Sequence, residues 1–227
     1  MTLSDGIVLG ILLAGLLFSI GRRKLTVPAA LTGALVGWIV YAGGGFTGLA
    51  MMTAFFILGT AATSLHATHQ PARTTGQVLA NAGVAGIASG LSLLIKDHPT
   101  LFRIMMAGSF ASAAADTLSS ELGMVYGRRF FNIMTGRPDE KGLDGVVSIE
   151  GLLIGTAAAG IIAVVFSIGQ GHNTRILLII TLSGTFGNWV DSALGAIFER
   201  KGQLSNNMVN FLNTLAAALL AGLLDTI

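Results

Sequence analysis

The chain has 227 residues, of which 52% are hydrophobic and only 11% charged, with a formal net charge of +2 and no cysteine. A soluble domain carries about 25% charged residues, so the composition excludes an ordinary soluble fold and points to a membrane protein. The missing cysteines exclude disulfides, thiolate metal sites and cysteine nucleophiles. The basic residues are not interleaved with stacking aromatics, so nucleic acid is not an expected partner.

A membrane-spanning helix needs about 20 mostly apolar residues. In chain order the candidates are 3–20, 26–42, 46–66, 76–96, 100–126, 148–168, 176–198 and 207–226. The second is short and bounded by the glycines 43–45, and the last opens on a polar turn, so the expected count is eight, with seven as the alternative. The predicted fold is an all-α polytopic membrane helix bundle, one integral domain over residues 1–227. The stretch 127–147 is read as a loop that contributes to the site.

Asp5 precedes the first apolar run and Arg22, Arg23 and Lys24 follow it. A cleavable signal peptide has the opposite order, so an uncleaved helix with its N-terminus outside is expected. Lys and Arg collect in cytoplasmic loops. With the N-terminus outside, Arg22, Arg23, Lys24, Arg73, Arg128, Arg129, Arg137, Lys141, Arg200 and Lys201 fall inside, against Lys96, Arg103 and Arg175 outside. The expected location is the cell (cytoplasmic) membrane, multi-pass, with the bilayer as partner. Glycines are abundant, and runs such as "AGVAGIASG" (82–90) and "GTAAAG" (155–160) read as close helix packing.

Ionisable side chains within a membrane helix cost at least about 2.5–3.5 kcal/mol and persist where they are paired, wetted or functional. Asp116 lies roughly 20 Å along its helix from Arg103, and Asp191 roughly 24 Å from Arg175, at 1.5 Å per residue. Both therefore reach the inner part of the bilayer, and Glu121 lies closer still to the cytoplasm. "GSFASAAADT" (108–117) weakly echoes "SGTFGNWVDS" (183–192), so the two aspartates sit in similar contexts. Ser119 and Ser120 share a helix face with Asp116, and Asn188 shares one with Asp191. Asn207, Asn210 and Asn213 recur at steps of three, and Gln77 and Asn81 lie four apart beside Arg73. Asn81 and Asn213 serve equally well as interhelical glue. Hard oxygen donors of this kind suit Mg²⁺ together with phosphate; a proton relay is the alternative use of such acids. His66 and His69 sit at a helix end with no other histidine near in sequence, and read as solvated.

The loop "GRRFFNIMTGRPDEKGLDGVVSIEG" (127–151) gathers Arg128, Arg129, Arg137 and Lys141 with three glycines. Arginine forks match phosphate oxygens, and glycines let backbone approach an anion closely. Neither a Walker A loop nor a GxGxxG turn is present.

The blocks "ADTLSSELG", "TGRPDEKGLDGVVSIEG", "GNWVDSALGA" and "NNMVNFLNT", with "RRKLTVPAALTGALVG" and "ARTTGQVLANAGVAG" upstream, resemble the signature blocks of the domain-of-unknown-function 92 integral membrane family, the family of phytyl-phosphate kinase and transmembrane protein 19. The segment "TSLHATHQPAR" departs from it, carrying Arg73 as its only fixed cation. The resemblance implies a membrane-embedded prenyl-phosphate kinase that moves a phosphoryl group from a nucleoside triphosphate, CTP or ATP, to a phytyl- or geranylgeranyl-like monophosphate. The implied site has Asp116, Asp191 and Glu121 as catalytic residues and Mg²⁺ ligands. Arg73, Asn81, Ser120, Arg128, Arg137, Lys141, Asp144, Ser148, Asn188, Asn207 and Asn210 are the implied contacts to nucleotide and lipid. The active site faces the cytoplasm, and a homodimer is compatible with the pattern. An ion-coupled transporter and a lipid-phosphate cytidylyltransferase are the alternatives.

Overall fold

A computed structural model describes residues 2–66 and 71–227. His69 and the side chain of His66, both expected to be solvated, lie outside the described residues. The chain forms α1 (Leu3–Gly21), α2 (Val27–His66), α3 (Thr75–Leu94), α4 (Pro99–Tyr126), β1 (Phe130–Asn132), β2 (Val146–Ser148), α5 (Ile149–Gln170), α6 (Thr174–Ile197) and α7 (Asn206–Thr226), with a 3-10 turn at Glu199–Lys201 before α7. Six of these helices are long and apolar enough to cross a membrane, and the protein is an integral, multi-pass helical membrane protein.

The forty-residue α2 is not one rod. Gly45 has φ of 64° inside it, a left-handed geometry that glycine adopts without cost. The chain reverses there: a Cβ on Gly48 would lie 2.9 Å from the Val40 carbonyl, and one on Gly37 would lie 3.5 Å from the Met52 sulfur. The halves of α2 therefore pack antiparallel, which matches the two segments expected at 26–42 and 46–66.

α4 occupies the middle, packed against α2, α3, α5, α6 and α7. Its residues explain that place. Ala107, Ala111, Ala113, Ala114 and Ala115 are fully buried, and small side chains allow backbones to approach. A Cβ on Gly184 would meet Ala111 at 2.6 Å, one on Gly108 would meet Ala221 at 2.8 Å, and Gly187 of α6 lies against Ser112. Phe55 and Phe110 fill the larger space between α2 and α4, ring centres 6.3 Å apart. α1 lies at the edge and packs on α2.

Between α4 and α5 the expected loop carries a small ribbon. β1 and β2 pair antiparallel, Phe130 opposite Ser148 and Asn132 opposite Val146. Asn132 Oδ1 accepts from the backbone N–H groups of Met134 and Thr135 and closes the turn. The C-terminal ends of α1, α4 and α6 and the starts of α3, α5 and α7 share one face with this ribbon. The opposite face holds Gly43–Gly45, the start of α4 and the contact of Arg175 with the end of α7.

Candidate functional site

α4 and α6 run side by side, which brings Asp116 and Asp191 together. Their carboxyl groups face each other within hydrogen-bonding reach and form the floor of a cleft of about 330 Å³. At 1.5 Å per residue, Asp116 lies about 15 Å before the end of α4 and Asp191 about 9 Å before the end of α6, so the floor is recessed from the basic face. Asn213 of α7 donates from Nδ2 to Asp191 Oδ1 at 2.6 Å and accepts from Ser112 Oγ at 2.9 Å. This chain of side-chain hydrogen bonds fixes the Asp191 carboxylate across three helices.

The walls come from α4, α6 and the ribbon loop. Ser119, Ser120 and Glu121 belong to α4, Asn188 and Ser192 to α6, and Asp144 and Ser148 to the loop and its junction with α5. Asn188 is 1% exposed, and its Nδ2 has no hydrogen-bond partner among the described residues. Buried amide donors are almost always satisfied, so an unpaired one lining a cleft marks a place for a ligand acceptor. Glycine makes room for it: a Cβ on Gly155 would stand 2.8 Å from that nitrogen. The loop closes on α6 by the same means. Gly145 has φ of 75°, and a Cβ there would collide with Ala196.

Several expected residues turn elsewhere. Among the described residues no group of three or more histidines, aspartates or glutamates is placed to hold a metal, so the trio Asp116, Asp191 and Glu121 does not assemble. The reason is helical phase: five residues separate Asp116 from Glu121, a rotation of about 140° around the axis. Glu121 reaches the rim, but its Oε1 accepts from Thr63 Oγ1 at 3.2 Å, and Arg73 donates to the same hydroxyl at 3.3 Å. Burial pushes the Arg73 guanidinium down from its usual pKa, and the nearby Glu121 carboxylate opposes that shift. Arg73 and Asn81 line a separate small pocket with Gln77, where Asn81 donates to the Gln77 carbonyl. Ser120 donates to the Asp116 carbonyl of its own helix. Ser148 is the N-cap of α5, accepting from Gly151 N–H at 3.1 Å. Arg128, Arg137 and Lys141 are exposed on the loop and are absent from the cleft lining. Lys141 Nζ sits 5.2 Å from the centre of the Phe130 ring, and Phe130 is part of that lining.

The α7 register departs by one residue. Asn206 lines the cleft, whereas Asn207 lies against Gly76 of α3. Asn210 is buried, with Oδ1 unpartnered among the described residues. Sequence reasoning missed Glu199, which lines the cleft and shares a side-chain hydrogen bond with Asn206. It also missed Arg200, which binds the Asp139 carboxylate at 2.9 Å and the Asp144 carbonyl at 2.8 Å. Burial alone identifies Asn213 as more than spacing, because its three-residue step from Asn210 fits glue equally well.

The site's chemistry follows from these groups. Two carboxylates this close need a proton or a cation between them to offset repulsion. The cleft adds a free amide donor, hydroxyls and backbone from a glycine-rich loop, which is a donor set for a hard cation and phosphate oxygens.

The profile of the family described as integral membrane protein DUF92 matches residues 10–218. A membrane protein of Methanocaldococcus jannaschii is 32% identical over 209 residues, covering 89% of this chain and 86% of its own. One of Synechocystis is 31% identical, with 90% and 84% covered. The chloroplastic protein VTE6 of Arabidopsis thaliana is 26% identical, with 92% and 69% covered. No solved structure matches the chain.

Proposed function

Because the chain belongs to the DUF92 integral membrane family, we propose that it is a membrane-embedded prenyl-phosphate kinase, transferring the terminal phosphoryl group of a nucleoside triphosphate to a prenyl monophosphate. The single observation that carries this reading is the facing pair Asp116 and Asp191 at the floor of a polar cleft. The likeness to VTE6, and the signature blocks shared with the family of phytyl-phosphate kinase, support the prenyl substrate class.

An oxygen of the acceptor phosphate forms the new bond to the γ-phosphorus. The bond from that phosphorus to its β–γ bridging oxygen breaks, and the nucleoside diphosphate leaves with the electron pair. The attacking oxygen is already anionic, so no strong general base is required. Catalysis then rests on alignment and charge neutralisation. Asp116 and Asp191 are the residues that would hold Mg²⁺, which supplies positive charge at the phosphoryl oxygens when bound. Asn188 Nδ2 is the free donor for a phosphate oxygen. Asn213 is a positioning residue for Asp191. The ribbon loop, pinned by Arg200, forms one wall of the cleft. The exposed Arg128, Arg137 and Lys141 raise local anion concentration at its mouth. In this reading the basic face is cytoplasmic.

The test is an assay of purified protein in lipid nanodiscs with CTP or ATP, Mg²⁺ and geranylgeranyl or phytyl monophosphate, identifying both products by mass spectrometry. Wild type is expected to form prenyl diphosphate and nucleoside diphosphate in equal amounts. Asp116→Asn and Asp191→Asn should each lower turnover by about 10²–10³-fold while retaining the wild-type unfolding temperature within a few degrees. Wild-type turnover in either variant removes the role assigned to the pair. Pyrophosphate in place of nucleoside diphosphate identifies a cytidylyltransferase.

A further inference from the structure

A kinase acting on a lipid phosphate needs a second compartment, one that keeps a hydrocarbon chain from water while its head reaches the reacting groups. An apolar groove of about 170 Å³ runs between α1 and the α2 hairpin, walled by Leu12 and Leu16 on one side and Met52 and Phe56 on the other. Its floor contains Gly15 and Gly33, and a Cβ on either would meet nothing within 4 Å. These glycines leave space that no neighbouring helix fills. Toward the middle of the fold the groove shares Ile11, Leu49 and Thr53 with a depression on the outer surface. Phe46 and Ile57 flank that depression, more than half exposed, so the groove opens sideways toward lipid.

At its other end the groove changes character. It shares Leu25, Gly33, Met52 and Phe56 with the small pocket that holds Arg73, Gln77 and Asn81. The Arg73 backbone is tied there, its N–H donating to the Lys24 carbonyl and its carbonyl accepting from Thr26 N–H. Its guanidinium reaches past the apolar walls to α4. A Cβ on Gly59 would find Arg73 Nη2 at 3.5 Å and Thr117 Cγ2 at 3.4 Å. Thr117 follows Asp116 directly. A lipid-open apolar groove, a half-buried cation and the α4 residue next to Asp116 thus follow one another.

We propose that this groove receives the hydrocarbon tail of a prenyl monophosphate, with Arg73 taking the phosphate at its inner end. The identity of the occupant rests on the kinase reading above. The order of surfaces supports a single-chain lipid with an anionic head: a neutral head adds no charge partner to a guanidinium that otherwise has the Thr63 hydroxyl and the nearby Glu121 carboxylate, and a soluble phosphate leaves the groove empty. The bilayer supplies the occupant through the seam between α1 and α2, where α1 packs on α2 alone among the major helix contacts.

The experiment is photolabelling of purified protein in nanodiscs with a diazirine-bearing geranylgeranyl monophosphate, without nucleotide, followed by peptide mapping. Label is expected on residues 11–19 and 49–56. Gly33→Leu and, independently, Gly15→Leu fill the open space and should cut labelling about tenfold, the effect of losing a few buried methylenes. Arg73→Ala should do the same, and excess phosphatidylglycerol should not compete. Label on α5 or α6, no label at all, undiminished label in both glycine variants, or full competition by phosphatidylglycerol overturns the proposal. Labelling needs no turnover, so it stands or falls separately from the product assay. Absence of phosphoryl transfer with intact groove labelling removes the kinase reading and leaves a prenyl-phosphate binding site.

Discussion

At the scale of single residues, the carboxylate pair depends on a neighbour that touches neither cleft nor solvent. Asn213 is 1% exposed, and its two hydrogen bonds join Asp191 to Ser112. Asn213→Ala should lower kcat by about 10–100-fold, the usual effect of losing a residue that orients a ligating side chain. Nucleotide KM should change little, because Asn213 is outside the cleft lining. The orphaned Ser112 hydroxyl should cost about 1–3 kcal/mol of stability. Steady-state kinetics and thermal unfolding check both, and an unchanged kcat refutes the positioning role. The aspartates themselves were legible in sequence, because charge deep in an apolar helix demands a reason. The direction of Glu121 was not. Its sequence neighbours show only that it is acidic and near the interface; the Thr63 hydroxyl and Arg73 that claim it come from a distant helix and its following segment.

At the scale of elements, the ribbon between α4 and α5 stays in place as a wall of the cleft because Arg200 holds it. Arg200 binds the Asp139 carboxylate and the Asp144 carbonyl across 61 and 56 positions of sequence. Its hydrogen bond holds the Asp139 carboxyl below the usual carboxylate range. A lowered folded pKa means that the contribution is fully present above the unfolded value of about 3.9 and is lost as pH falls through the folded value. Arg200→Ala and Asp139→Asn should therefore raise hydrogen exchange at amides 130–148 at pH 7, and wild type should keep its protection unchanged from pH 8 to about pH 5. Equal protection in wild type and Arg200→Ala rejects the strap. Long apolar runs made the helices readable within a few residues. The three-residue strands were unreadable, since "FFN" and "VVS" are too short to show alternation. The reversal inside α2 was half-legible: the glycines at 43–45 announce a break, whereas the antiparallel return depends on Gly37 and Gly48 meeting the other half.

At the scale of the whole molecule, the fold sorts charge onto its two ends. The termini of the helices place Arg22, Arg23, Lys24, Arg73, Arg128, Arg129, Arg137, Lys141, Arg200 and Lys201 on the face with the cleft, and Lys96, Arg103 and Arg175 on the other, which together account for all 13 basic residues. Such a bias sets the cytoplasmic side in multi-pass proteins, and under the proposed kinase reading the nucleoside triphosphate is drawn from that side. The sequence contains no cysteine, so each introduced thiol reports alone. Met134→Cys lies on the exposed ribbon loop, and Asp97→Cys lies in the turn between α3 and α4; neither belongs to the cleft lining or the groove. In intact cells a membrane-impermeant maleimide should label the thiol at position 97 and spare that at 134 until the membrane is opened. The reverse pattern places the N-terminus and the cleft on opposite sides from those assigned, and a kinase whose cleft faces away from its nucleotide has no donor to use.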